Sequence, residues 1–198
     1  MSMQITLAST SRIRQHLLRS ANVDFEVQDS AVDEGPLKRR LIAQEVPPHQ
    51  IALELAAAKA EAVAAKINGL VLGCDQVLAF EDRLLSKPDS FEDARQQLLS
   101  LRGRDHMLLS AAVLYDNGAR AWSHVGQVTL TMRHISDAYL EGYLNRNWPG
   151  IQSSVGGYKL EEEGIRLFSK VEGDYFTVLG MPLVEILGYL GQRGAIET

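Results

Sequence analysis

The sequence predicts an α/β fold, on three observations. Apolar runs of strand length alternate with segments of helical periodicity along the whole chain. The run Leu70-Val71-Leu72-Gly73-Cys74-Asp75-Gln76-Val77-Leu78 has the apolar character of a buried strand. Asn117-Gly118, lying between two apolar runs, marks an antiparallel hairpin. At 198 residues the chain makes one large domain or two small lobes sharing a core, and either buries enough surface to be stable without staples. With no internal repeat and no low-complexity linker, 1–198 is read as a single domain.

In chain order, Gln4-Ile5-Thr6-Leu7-Ala8 is a short strand entering the hydroxyl-rich turn Ser9-Thr10-Ser11. Leu17, Leu18 and Ala21 then recur at helical spacing, with Ser9, Thr10 or Ser11 as the cap. Phe25-Glu26-Val27 is the second strand, and Val32-Asp33-Glu34-Gly35-Pro36 reads as an acidic turn. Residues 37–47 read as an irregular connection or a short helix, and His49 to Ile67 as an alanine-rich helix. After the Asp75 strand, residues 80–85 make a hairpin and Ser90 caps a helix that ends at Gly103. Three strands are expected next, Met107 to Leu114, Ala121 to Val125 and Gln127 to Arg133, followed by a helix from Ile135 to Asn145 capped by Ser136. A glycine-rich turn at Ser154 to Lys159 enters Leu160 to Phe168; Asp174 to Pro182 is expected as strand then turn, and Leu183 to Gly191 as a closing helix.

A formal net charge of −5 argues against a general nucleic-acid or anionic-membrane binder, since both need a basic surface. It leaves room for an anionic ligand in a local basic pocket. The single cysteine, Cys74, excludes an intramolecular disulfide and a cysteine-rich zinc site. Met1-Ser2-Met3-Gln4 carries no leader pattern and no apolar stretch approaches the roughly eighteen residues of a membrane span, so a cytoplasmic protein is expected.

Asp75 is the residue that most needs explaining, because a buried strand seldom carries a carboxylate unless it is paired. Taken alone it caps the next turn or pairs with a basic side chain. The Ser9-Thr10-Ser11 turn before a helix is a ready anion site, with Arg12 and Arg14 beside it; equally, it is a capped helix with solvated arginines. Lys59 taken alone reads as a surface lysine whose stem covers apolar neighbours. Both glycine-rich phosphate-loop motifs are absent.

Eight blocks, in order from residue 7 to about residue 184, carry a resemblance. They are Leu7-Ala8-Ser9-Thr10-Ser11-x-x-Arg14, Val32-Asp33-Glu34, Leu55-Ala56-x-x-Lys59-Ala60, Gly73-x-Asp75-Gln76-Val77, Lys87-Pro88, Leu101-x-Gly103-x-x-His106, Gly156-Gly157-Tyr158 and Gly180-Met181-Pro182-Leu183. Together they resemble the Maf family of nucleotide pyrophosphatases. The resemblance implies the fold shared with inosine-triphosphate pyrophosphatases, an elongated mixed sheet with flanking helices and two lobes around a central cleft. It implies hydrolysis of a nucleoside triphosphate between its α and β phosphates, a divalent metal cation (Mg2+ or Mn2+) and a homodimer. An alternative within the same family is a nucleotide-binding regulator of septum formation.

That chemistry needs a base, a metal and cations around the phosphate oxygens. Asp75, as the only acid emerging from a core strand, is the candidate general base, and it shares metal duty with Glu34. Ser9, Arg14, Lys59 and Lys87 form the phosphate cradle. The resemblance also assigns base selection to the positions of Ile13, Gln76 and Glu161. Members of the thymidine/uridine-triphosphate type carry Arg, Thr and Gln there, and those of the 7-methylguanosine-triphosphate type carry Trp, Gln and Glu. Gln76 and Glu161 side with the second type, and a glutamate can accept from the N1–H and amine of guanine. Ile13 departs from both patterns, and Arg12 replaces the family's proline. Of the remaining residues, Cys74 is expected in the core, Tyr175 and Phe176 in an apolar strand, and His106 at the Gly103 turn. Trp122 and Trp148 are left without a place.

Overall fold

The computed structural model describes residues 4–197; Met1–Met3, part of the stretch read for a leader, and Thr198 lie outside the described residues. In chain order the elements are β1 (Ile5–Leu7), α1 (Arg12–Ser20), β2 (Glu26–Val27), α2 (Glu34–Ala43), α3 (Pro48–Ala64), β3 (Leu70–Phe80) and β4 (Arg83–Leu85). They continue with α4 (Phe91–Leu101), β5 (Asp105–Asp116), β6 (Ala119–Met132), α5 (Asp137–Asn147), three short 3-10 turns, β7 (Phe168–Glu172), α6 (Tyr175–Val178) and α7 (Leu183–Gln192). Among the described residues, seven strands pair in the order β2-β1-β3-β5-β6-β7, with β4 on β3. β1 runs parallel to β2 and β3, whereas β4 is antiparallel to β3 and β7 to β6, so the sheet is mixed, as the family resemblance implies. Among the described residues, no helix is long and apolar enough to cross a membrane.

The chain divides into two compact units, the first holding residues up to Gln76, Leu109–Gly126 and those from Tyr175 on, the second Val77–Leu108 and Gln127–Asp174. In the first unit the alternation of β3 decides what packs where. Leu70, Leu72 and Cys74 join Ile5, Leu7, Leu17, Leu18, Ile186 and Leu190 in one core under α1 and α7. Val71, on the opposite face, packs against Ala60, Val63 and Ala64 of α3. Each fully buried leucine here contributes about 1.5–3 kcal/mol. Trp122, unplaced by sequence, stacks on Tyr189 at 5.4 Å between ring centroids and packs against this core.

In the second unit, α4 and α5 begin as expected on serines: Ser90 Oγ accepts from Asp93 N at 3.1 Å and Ser136 Oγ from Tyr139 N at 3.2 Å. Trp148 meets Phe91 edge to face at 6.1 Å. His106 does not close the Gly103 turn; the ring lying against Gly103 is that of His134. His106 is instead buried beside Tyr158 and Phe168, its Nε2 2.7 Å from the Tyr158 hydroxyl.

Burial depresses the His106 imidazole from 6.5 to about 4. Between those values the unfolded chain binds the proton more readily than the folded one, so stability falls as pH drops through the window. Urea melts at about pH 7.5 and pH 5 are expected to differ by about 2 kcal/mol from this residue. His106→Gln, which cannot titrate, is expected to flatten that difference; an unchanged slope would refute the assignment.

Four local expectations are corrected. The Val32–Pro36 turn is the start of helix α2, begun by Asp33, whose side chain accepts from Gly35 N at 3.1 Å, and of the two readings of residues 37–47 the short helix is the one that forms. The two strands expected over 121–133 are one, β6, because Gly126 marks a close approach and not a break. A Cβ there would lie 2.5 Å from Thr177 Oγ1. Asp174 to Pro182 holds no strand: Tyr175–Val178 is a single helical turn, and Leu179 N donates back to Tyr175 O at 3.3 Å. Tyr175 is accordingly exposed, while Phe176 leans on the first-unit core. Finally, Phe168–Glu172 forms the strand β7, which the sequence reading missed.

Candidate active site

Helix α3 lies so close to β3 that only glycine fits between them. A Cβ on Gly73 would sit 2.3 Å from the Ala56 carbonyl oxygen and 2.8 Å from Ala60 N. Asp75, two residues on along the strand, shares that face. The close approach brings α3's Lys59 to it: Nζ donates to Asp75 Oδ1 at 2.6 Å. Lys59 and Asp75 are buried, at 9% and 6% exposure. The surface reading of Lys59 is therefore corrected, and it is Lys59 that pairs with Asp75. The same ammonium lies 2.8 Å from Glu34 Oε1, and Glu34 is placed there by the capped first turn of α2. Burial pushes the Asp75 carboxyl above the ordinary carboxylate value, against the opposing pull of Lys59 and Arg14. Cys74, on the other face, is a core residue as expected, its thiol raised to about 11 by burial.

Arg14 projects from the first turns of α1. Its Nε donates to Gly180 O at 2.9 Å, and its Nη1 donates to Cys74 O at 2.9 Å and to Ser9 Oγ at 3.4 Å. Ser9 Oγ also accepts from Ser11 N at 3.3 Å. Ser11 is the N-cap residue, one of the three expected, although its side chain makes no capping bond. Ile13 is half-buried and packs against the core around Leu17 and Leu18.

Gln76, half-buried, is held by three acceptors: Nε2 donates to Ser110 Oγ at 2.9 Å, Thr177 O at 3.1 Å and Val178 O at 2.9 Å. Ser110 and the 177–180 backbone were not foreseen from the sequence; their one signal is a lone hydroxyl in the apolar run Leu109-Ser110-Ala111. The structure thus gathers Ser9, Arg14, Glu34, Lys59, Asp75 and Gln76 in the first unit. Lys87 and Glu161 belong to the second, both exposed, Lys87 following β4 and Glu161 in the turn before the last 3-10 helix.

Two carboxylates meeting on one ammonium suit a hard cation of the magnesium type, which takes one or two carboxylates and completes its shell with water and phosphate oxygens. Among the described residues, no three His, Cys, Asp or Glu side chains come together as a metal-holding group. Glu34 and Asp75 therefore fit such a cation as a pair, not as a closed cage.

The fold and the site define a mixed α/β protein with a buried carboxylate–ammonium centre flanked by an anchored arginine. The chain belongs to the Maf family, the Maf-like protein pattern matching residues 4–193. It is 55% identical to the nucleoside triphosphate pyrophosphatase of Ruegeria pomeroyi, over the full length of both chains. The nucleoside triphosphate pyrophosphatase of Caulobacter vibrioides is 46% identical over 98% of each chain. The 7-methyl-GTP pyrophosphatase of Mesorhizobium japonicum is 44% identical over the full length of both.

Proposed function

We propose that this protein hydrolyses nucleoside triphosphates between the α and β phosphates, yielding the monophosphate and pyrophosphate, with guanine methylated at N7 as the favoured base. The observation that carries the reading is the buried Asp75 carboxylate at 2.6 Å from Lys59, with Glu34 at 2.8 Å on the same ammonium. In this reading water oxygen bonds to the α-phosphorus, the bond from that phosphorus to the bridging oxygen breaks, and pyrophosphate leaves. Asp75 takes the proton of the attacking water, a task for which a carboxyl raised by burial is better matched than an ordinary one. Lys59 and Arg14 set fixed positive charge against the phosphate oxygens, and Ser9 adds a hydroxyl. By the family resemblance, Lys87 also binds phosphate, while Ile13, Gln76 and Glu161 meet the base. Glu34 and Asp75 would hold Mg2+ or Mn2+, which when bound neutralises the polyphosphate and acidifies the attacking water.

Selection of the methylated base is supported by Gln76 and Glu161 and by relatives named 7-methyl-GTP pyrophosphatase at 41% and 44% identity. Such an activity would remove modified nucleotides before they are incorporated. The test is product identity over a panel of normal and methylated triphosphates with magnesium or manganese. Monophosphate and pyrophosphate are expected, with 7-methyl-GTP turned over fastest. Diphosphate and inorganic phosphate would overturn the α–β assignment. Tight nucleotide binding without turnover would favour the regulator of septum formation.

A further inference from the structure

The hydrogen bonds around Gln76 fix which end of its amide meets a ligand. Carbonyl oxygens only accept, so the atom facing Thr177 O and Val178 O, at 3.1 and 2.9 Å, is the amide nitrogen. The third neighbour, Ser110 Oγ, is wholly buried and donates its own proton to Thr177 O at 2.7 Å, leaving it to accept from Gln76. Two amide hydrogens are thus shared among three acceptors, and turning the amide over would set its oxygen against two carbonyls. The Oε1 atom accepts no hydrogen bond among the described residues.

We propose that Ser110 is a positioning residue for base selection: with the Thr177 and Val178 carbonyls it locks Gln76 so that the ligand meets an acceptor, which takes a hydrogen bond from the exocyclic amine of a purine. This rests on the reading above that places Gln76 at the base. Loss of the amine leaves Oε1 without its donor, so a purine lacking it binds less well. Removing the Ser110 hydroxyl takes one of the three acceptors from the amide nitrogen, so Oε1 is held less firmly where the amine meets it.

The experiment compares binding of GMP with IMP, which differ only in that amine, by calorimetry on the wild type, Ser110→Ala and Gln76→Met. Steady-state kinetics on GTP and ITP accompany it. The wild type is expected to favour GMP by about tenfold, the scale of one hydrogen bond to an otherwise unpaired acceptor. In Ser110→Ala that ratio is expected to fall to roughly threefold or less, with the KM for GTP rising more than kcat falls. Gln76→Met keeps the length without donor or acceptor and is expected to lower the ratio at least as far as Ser110→Ala does, leaving only the part that Glu161 supplies, so the acceptor role is testable even if Ser110→Ala misfolds. A wild-type ratio near one, or an undiminished ratio in folded Ser110→Ala, overturns the proposal. Absent turnover with the binding ratios as expected would overturn the hydrolase reading and leave this inference standing.

Discussion

Asp75→Asn is expected to lower pyrophosphate release by roughly 10²–10⁴-fold, the usual contribution of a positioned general base. The substitution keeps the side chain's shape and removes its charge. Lys59 is not stranded by it, because Glu34 remains 2.8 Å from the ammonium. The variant also no longer buries a carboxylate whose burial works against its ionisation. Folding stability is therefore expected to stay within about 1 kcal/mol of the wild type. Turnover at saturating triphosphate and a urea melt on the same preparation decide the matter. Loss of activity with a retained fold assigns chemistry to Asp75. Turnover within tenfold of the wild type would make it a structural acid paired with Lys59.

Asp75 stands out in the sequence because its environment is readable from neighbours alone: a carboxylate inside an apolar strand contradicts its surroundings. Its partner is not readable in this way. Helix α3 buries Ile51, Ala52, Leu55, Ala56, Ala57, Ala60, Val63 and Ala64 around Lys59, so its apolar side is too wide for periodicity to say where a lysine among alanines points. What places Lys59 is the absence of a side chain at Gly73, a feature of the facing strand. The misread elements have the same cause. Tyr175-Phe176-Thr177-Val178 has strand-forming composition, yet it closes into a helical turn whose carbonyls at 177 and 178 accept from Gln76 and Ser110. Gly126 resembles a strand break until Thr177 is seen against it. Pro36 suggests a turn, although proline is tolerated in the first turn of a helix, where α2 carries it. Local pattern resolves the β3, α4, α5 and α7 elements because their partners are generic apolar surface, and it fails where one specific contact from a distant segment decides.

Lys59→Met is expected to destabilise the protein by about 3–5 kcal/mol at about pH 8, because it leaves Asp75 as a buried charge without its closest counterion. Methionine retains the aliphatic stem, so packing against α3's neighbours changes little. With Lys59 gone, the folded-state pKa of Asp75 rises further above its unfolded value of 3.8, leaving burial less opposed. A raised folded pKa favours the folded state at low pH, and that advantage is lost as pH climbs through it. The deficit of the variant is thus expected to be small near about pH 5 and largest near about pH 8, as the carboxyl is forced to ionise. Adding Asp75→Asn to Lys59→Met removes the stranded charge, so the double variant is expected to regain most of the lost stability and none of the activity. Urea melts of both singles and the double at the two pH values form a double-mutant cycle. A coupling energy near zero, or a deficit in Lys59→Met that does not vary with pH, would mean that the 2.6 Å contact contributes packing and not charge compensation.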